Sequence, residues 1–231
     1  MGGMRVDSPE NYGKSHDNMS SIVSEIQRAI SVIVKSPGML CLGLSQAFFE
    51  GAVYTFVFLW VPTLLIVGTP SGKLPTGLVF SCFMLAMTIG GKLFTLLLPI
   101  FPGEAEGLCT LVYVLAGMAM VVPVFKFEFW PIFLSFLVLE GSLGIFNSCG
   151  GTLRSRYFPG AMQSSIMSVF RLPLNLLVVA GTKLSSVASN NIFDLKFVFM
   201  VIVGMHCTAL MFHCLMMFSG DKPLNTKTKF D

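Results

Sequence analysis

Six long apolar runs, almost free of charged residues, constrain the fold of this chain more than any other feature. They lie at residues 38–67, 76–100, 107–125, 129–151, 162–185 and 196–219, and each is close to the roughly 20 residues that a helix needs to span a bilayer. Only 12% of the residues are charged and 54% are hydrophobic, whereas a soluble domain carries about 25% charged residues. The chain has too little polar surface to face water on all sides, so we predict an all-α membrane protein with six transmembrane helices.

The charged residues concentrate outside these runs, and this divides the chain into four parts. Residues 1–20 are polar and lack periodicity, so we expect a disordered leader. In residues 21–36 apolar side chains recur at helical spacing with polar residues between them, which is typical of an amphipathic helix at the membrane interface. Residues 38–219 form the six-helix domain, and residues 220–231 form a polar tail.

Lysine and arginine placement predicts the orientation in the membrane. With six spans both termini lie on one side, and that side collects ten Lys and Arg residues against four on the other. Because positive charge favours the cytoplasmic side, we predict cytoplasmic termini in a multi-pass protein of the cell membrane. The formal net charge of +3 is too small and too scattered to indicate nucleic acid, and the partner of most of the surface is membrane lipid.

Three ionisable residues lie deep inside predicted spans: Glu50, Glu140 and Arg171. A charge at that depth costs at least about 2.5–3.5 kcal/mol, so each side chain must face protein or water. One interpretation is a structural salt bridge between Glu140 and Arg171. The other gives Arg171 an anionic substrate, because its planar fork suits oxyanions, and gives one or both glutamates a role in proton coupling. The two interpretations are compatible.

Further polar residues extend this candidate substrate-binding set. Gln46, Glu50 and Tyr54 recur at four-residue steps and therefore share one helix face. That stripe lines either a pore or a helix contact, and a pore is favoured because helix contacts prefer small residues. Pro173 follows Arg171 closely and removes a helical hydrogen bond, which in lipid indicates a cavity wall. Asn175 completes the set.

The sequence offers little support for metal, cofactor or enzyme chemistry. The six cysteines form no CxxC pair, which argues against a zinc site or a disulfide framework. His206 and His213 are two helical turns apart, about 10.5 Å, which is too far to share one ion. We find no HExxH, GxSxG or P-loop motif, so we predict a protein that is not an enzyme and that has no cofactor.

Four blocks between Gly38 and Ser219 follow a known pattern, in order and without large gaps. They are QAFFEGAVYTFVFLWVPT at 46–63, GLVFSCFM at 77–84, LEGSLGIF at 139–146 with LRSR at 153–156, and SVFRLPLNLL at 168–177. They resemble the seventh helix, the start of the eighth, the tenth with its following cytoplasmic loop, and the eleventh helix of the molybdate-anion transporter family, a branch of the major facilitator superfamily.

The resemblance implies the C-terminal six-helix half of such a transporter. Transporters of this type hold substrate near the midplane between two halves. The resemblance further implies that spans one, two, four and five face the central cavity, that spans three and six are peripheral, and that the interfacial helix belongs to the linker between halves. The expected partners are a small molybdate-like anion and an N-terminal half or another copy of the chain.

Two functions remain open at this point. The chain could carry an oxyanion by alternating access, as half of a secondary transporter. Alternatively, it could be a non-transporting half that pairs with or regulates a full-length transporter. Nothing in the sequence separates these two functions.

Overall fold

The computed structural model describes residues 10–69, 72–101, 104–188, 192–221 and 223–224, with side chains from residue 22 onward. All regular elements in these residues are helices. They are α1 (Glu10–Lys35), α2 (Pro37–Val67), α3 (Thr76–Leu97), α4 (Ala105–Phe125), α5 (Phe129–Tyr157), α6 (Gln163–Ala188) and α7 (Ile192–Phe218), with 3-10 turns at Leu98–Ile100 and Gly160–Met162. Six of them, α2 to α7, are long and apolar enough to cross a membrane, as the sequence predicts.

The helix bounds differ most from the sequence prediction in two places. Helix α5 continues to Tyr157, six residues beyond the predicted end, because its terminal arginines find partners on neighbouring helices. Helix α1 begins at Glu10, so residues 10–20 are helical where we expected a disordered leader. Extending an existing helix costs less than nucleating a new one, which explains how a polar segment can join the amphipathic helix. Residues 1–9 lie outside the described part of the chain.

The junction between α1 and α2 is held by a helix cap and by hydrogen bonds to a residue near the C-terminus. Ser36 is the N-cap of α2, its hydroxyl accepts a hydrogen bond from the Met39 amide, and Pro37 occupies the first turn. Both are favoured at helix starts. Asp221, in the tail, accepts hydrogen bonds from the Ser36 hydroxyl and the Gly38 amide, each at 2.8 Å. The tail therefore anchors the start of the first span.

Glycines allow two helix pairs to approach closely. A Cβ atom on Gly90 of α3 would lie 2.0 Å from the Gly141 carbonyl oxygen of α5, and one on Gly144 would lie 2.0 Å from the Met87 carbonyl oxygen. In α6, a Cβ on Gly181 would lie 2.1 Å from Thr55 Oγ1 of α2. Small residues are the usual means of such packing in membranes. These contacts hold α3 on α5 and α6 on α2.

The bundle has a closed side and an open side. Helix α4 packs against α5 and α7, and α2 packs against α7, so these four helices form the closed side. Helices α3 and α6 are the least buried of the six spans. The exposed face of α6 carries a polar stripe over most of its length: Ser164, Ser168, Arg171, Asn175, Thr182 and Ser186. A polar stripe of this length is costly against lipid, so this side of the bundle is suited to face protein or water.

Candidate functional site

A cavity of about 520 Å³ opens between α2, α5 and α6. Five of the six residues that the sequence predicts for the substrate site line it. The full lining is Gly43, Gln46, Ala47, Glu50, Tyr54, Arg154, Met167, Phe170, Arg171, Leu174, Asn175 and Val178. The four-residue spacing of Gln46, Glu50 and Tyr54 thus does place them on one face, and that face looks into the cavity.

Arg154 is a cavity residue that the sequence analysis assigned to a cytoplasmic loop. Because α5 extends through it, its guanidinium reaches across to α2 and donates a hydrogen bond to Gln46 Oε1 at 2.8 Å. The Gln46 amide nitrogen in turn donates to the Gly150 carbonyl at 3.4 Å. The signal that could have found it is the polarity of Gln46, a buried amide that requires hydrogen-bond partners.

Glu50 shares its cavity with two cations. Both Arg154 of α5 and Arg171 of α6 act electrostatically on its carboxylate. Two positive groups and one negative group leave the cavity with a formal net charge of +1 when all are ionised. In a membrane interior such an excess is costly unless water or an anion balances it.

Arg171 and Asn175 flank Pro173 on α6 and are both exposed toward the open side of the bundle. Phe170, next to Arg171, packs so closely on α2 that a Cβ on Gly43 would lie 2.1 Å from its ring. This contact holds the segment of α6 that carries Arg171 close to α2. Tyr54 is 48% exposed and brings a hydroxyl to the same cavity. The arrangement surrounds a polar space with donors from three helices.

Glu140 does not line this cavity. The interpretation that it forms a salt bridge with Arg171 is wrong, because the structure shows no such ion pair among the described residues. Glu140 is only 5% exposed, and its Oε2 has no hydrogen-bond partner there. The reason is that α6 packs against α2 while α5 packs against α3 and α4. Sequence position gave both residues a similar depth in the membrane but could not say which helices are neighbours.

The expected division between cavity and peripheral helices needs one adjustment. No cavity-lining residue comes from α4 or α7, and none comes from α3 either. The exposed face of α3 instead carries Ser81, Thr88, Lys92 and Thr95 on the open side of the bundle. His206 and His213 of α7 are buried against Phe49 and Tyr113. The described residues contain no group of three metal-ligating side chains.

The geometry is suited to binding a small anion. Guanidinium groups bind oxyanions through paired N–H donors. Here two guanidinium groups face one space, together with two carboxamides and a phenol, which belong to Gln46, Asn175 and Tyr54. The partner of Arg154 is a neutral amide oxygen, so its charge is not cancelled by a direct ion pair within the described residues. A neutral solute would leave the net positive charge unbalanced.

Comparisons with known proteins agree with this picture. Residues 4–146 match a family model described as sugar transporters with 12 transmembrane segments. A molybdate-anion transporter from Takifugu rubripes is 34% identical over 149 residues, which cover 62% of this chain and 30% of the relative. One from Xenopus tropicalis is 30% identical over 178 residues, covering 74% of this chain and 37% of the relative.

The chain thus spans about a third of the length of the curated relatives that it matches. These relatives are named as transporters and not as enzymes. Their names agree with a bundle of six spanning helices, so this is a multi-pass integral membrane protein. The chain belongs to the molybdate-anion transporter family of the major facilitator superfamily.

Proposed function

We propose that this chain is half of a secondary transporter that moves a small oxyanion, such as molybdate, across a membrane by alternating access. The observation that carries the proposal is the pair of cavity arginines, Arg154 and Arg171, inside membrane-spanning helices. Arg171 lies well inside α6, and charges at such a depth are rare and are usually functional. The names of the relatives support molybdate as the substrate.

The cavity favours an anion over a neutral sugar. The description of the family model mentions sugars, whereas the named relatives transport molybdate. A sugar site needs balanced donors and acceptors, but this cavity has an excess of cationic donors around a single carboxylate. A dianion or monoanion would satisfy them.

We infer that a second six-helix half covers the open side of the bundle. The polar stripes of α3 and α6 support this, because lipid solvates them poorly. In transporters of this type two halves rock against each other around a central site. This second half would be an N-terminal half, or another copy of this chain, and both termini of this chain would lie in the cytoplasm at the cell membrane.

The test is uptake into proteoliposomes that contain this chain together with the N-terminal half of a relative. We expect saturable uptake of labelled molybdate, and none of a labelled neutral hexose. The matched control replaces Arg171 by Gln and should abolish uptake while both halves still co-purify. Hexose uptake, or molybdate uptake that is unaffected by the substitution, would overturn the proposal.

The alternative function is a non-transporting half that pairs with or regulates a full-length relative. It makes a different prediction. Co-reconstitution with an intact relative would change the uptake rate of that relative, while the chain with an N-terminal half would transport nothing. Measuring both preparations distinguishes the two functions.

A further inference from the structure

The position of Glu50 carries an inference about which oxyanions the cavity accepts. This inference rests on the proposed function and deepens it. Glu50 lines the same cavity as Arg154 and Arg171, and both guanidinium groups attract its carboxylate. The carboxylate is thus a tethered anion in the space where a substrate anion would bind. A bound oxyanion and ionised Glu50 must share the same two cations.

We propose that Glu50 selects substrate by valence, so that its ionised form disfavours divalent oxyanions and its protonated form accepts them. With Glu50 ionised, the three charged groups sum to +1, which one monovalent oxyanion balances. With Glu50 protonated, the two arginines sum to +2, which a divalent oxyanion balances. Uncompensated charge is costly in this membrane-embedded site, so the balanced combinations are the stable ones.

The groups around Glu50 make it the cavity residue that can change charge most readily. From α5 and α6 it faces Arg154 and Arg171, and arginine stays protonated in proteins. Its own helix brings the Tyr54 phenol to the cavity. Helix α7, packed on the other side, directs His206 against the buried ring of Phe49 and not into the cavity.

The charged groups of α1 whose side chains the structure describes also stay out of the cavity. Helix α1 packs against α6 and α2, but Glu25, Arg28 and Lys35 are not among the lining residues. Repulsion between ionised Glu50 and a bound ligand grows with the charge of the ligand. Uptake of one proton by Glu50 therefore strengthens the binding of a dianion more than that of a monoanion.

The experiment compares two tetrahedral oxyanions of different charge, molybdate as the dianion and perrhenate as the monoanion. Binding of each to the full chain in lipid nanodiscs is measured by equilibrium dialysis, at pH values where molybdate remains a dianion. In the wild type we expect molybdate affinity to rise as pH falls, by up to about tenfold per pH unit when one proton is taken up. Perrhenate affinity should rise less, so the ratio of the two affinities changes with pH.

Two variants isolate Glu50. In Glu50→Gln, which keeps shape but cannot ionise, the ratio of molybdate to perrhenate affinity should be independent of pH and equal to the value that the wild type approaches at low pH. In Glu25→Gln, the same substitution on α1 outside the cavity, the wild-type pH dependence should remain. Circular dichroism and size-exclusion chromatography verify that both variants are folded.

The outcomes separate this inference from the proposed function. If the wild type binds molybdate but the affinity ratio does not vary with pH, or if Glu50→Gln keeps the variation, valence selection by Glu50 is wrong while anion binding stands. If neither oxyanion binds the wild type at any pH, the proposed function falls and the inference falls with it. Loss of all binding in folded Glu50→Gln would make Glu50 a ligand of the anion and would also overturn the inference.

Discussion

Two arginines that lie two residues apart at the end of α5 meet opposite environments. Arg156 forms ion pairs with Glu104 and, at 3.2 Å, with Glu106, and Tyr157 donates a hydrogen bond to Glu106 beside it. Arg154 instead donates to the neutral Gln46 amide and lines an open cavity.

This difference distinguishes charged side chains that stabilise the bundle from charged side chains that are available to bind a ligand. Arg156 is only 13% exposed and its charge is cancelled by the start of α4, so it ties two helices together. Arg154 keeps an uncancelled charge beside a space large enough for a ligand. An intramembrane cation with a neutral partner at a cavity is a better candidate for binding than one with a carboxylate partner.

Substitution of Arg156 should have the largest effect on stability. Arg156→Gln leaves the Glu106 carboxylate, which is 12% exposed, without its cation. Breaking a buried pair costs about 3–5 kcal/mol, and we expect about 3 kcal/mol because Glu104 is 58% exposed and screened by solvent. The measurement is the free energy of unfolding in mixed micelles.

Arg154→Gln is the matched control for that experiment, since the same substitution two residues away removes only hydrogen bonds to a neutral group. It should cost about 1 kcal/mol. Equal losses of stability in the two variants would contradict the comparison.

Substitution of Arg171 should affect binding rather than stability. Arg171→Lys keeps the charge but loses the planar pair of donors that matches an oxyanion. We expect molybdate affinity to fall by about tenfold, equivalent to about 1.4 kcal/mol, with the unfolding free energy near that of the wild type. Wild-type affinity in this variant would mean that Arg171 acts only as a point charge or does not touch the ligand.

Gln46→Glu should give Arg154 a carboxylate partner, as Arg156 already has. The new carboxylate would lie within 2.8 Å of the Arg154 guanidinium, judged from the present Gln46 oxygen. The resulting ion pair should lower molybdate affinity severalfold while leaving the fold intact, because the substitution barely changes the size of the side chain. Titration with labelled molybdate measures the effect, and Gln27→Glu on α1 serves as the control. Unchanged affinity would show that the free charge of Arg154 is not used.

Glu140→Gln should have the smallest effect. If Glu140 balanced Arg171, removing its charge would leave a lone cation and reduce stability by several kcal/mol. Since Glu140 is buried without a hydrogen-bond partner for its Oε2, we expect a change within about 0.5 kcal/mol, or a small gain, because a neutral amide is less costly to bury. Loss of expression in this variant would instead support an ion pair between Glu140 and Arg171.

The six spans could be predicted from the sequence because each apolar run is long enough to cross a bilayer. The end of α5 could not, since Arg154 and Arg156 are typical of a cytoplasmic loop until their partners on α2 and α4 are known. The start of α1 was missed for a related reason. Polar residues that would be disordered alone become helical next to a stable amphipathic helix.

Within the site, the residues that share one face of a single helix could be predicted from the sequence. The contacts between two helices could not. The spacing of Gln46, Glu50 and Tyr54 identifies one face of α2 without knowledge of its neighbours. Arg171 and Asn175 stand out as polar residues around Pro173. The pairing of Glu140 with Arg171, however, requires α5 and α6 to be neighbours. In the structure α6 packs on α2 instead, and the carboxylate that shares the cavity with Arg171 is Glu50 of α2.

The most direct test of the account is molybdate binding to the double variant Arg154→Gln with Arg171→Gln. In lipid nanodiscs, the wild-type chain should bind labelled molybdate saturably, and the double variant should bind none although it remains folded. The control Lys126→Gln with Lys183→Gln removes the same amount of positive charge outside the cavity and should bind as the wild type does. Binding by the double variant at wild-type affinity would contradict an anion site between α2, α5 and α6.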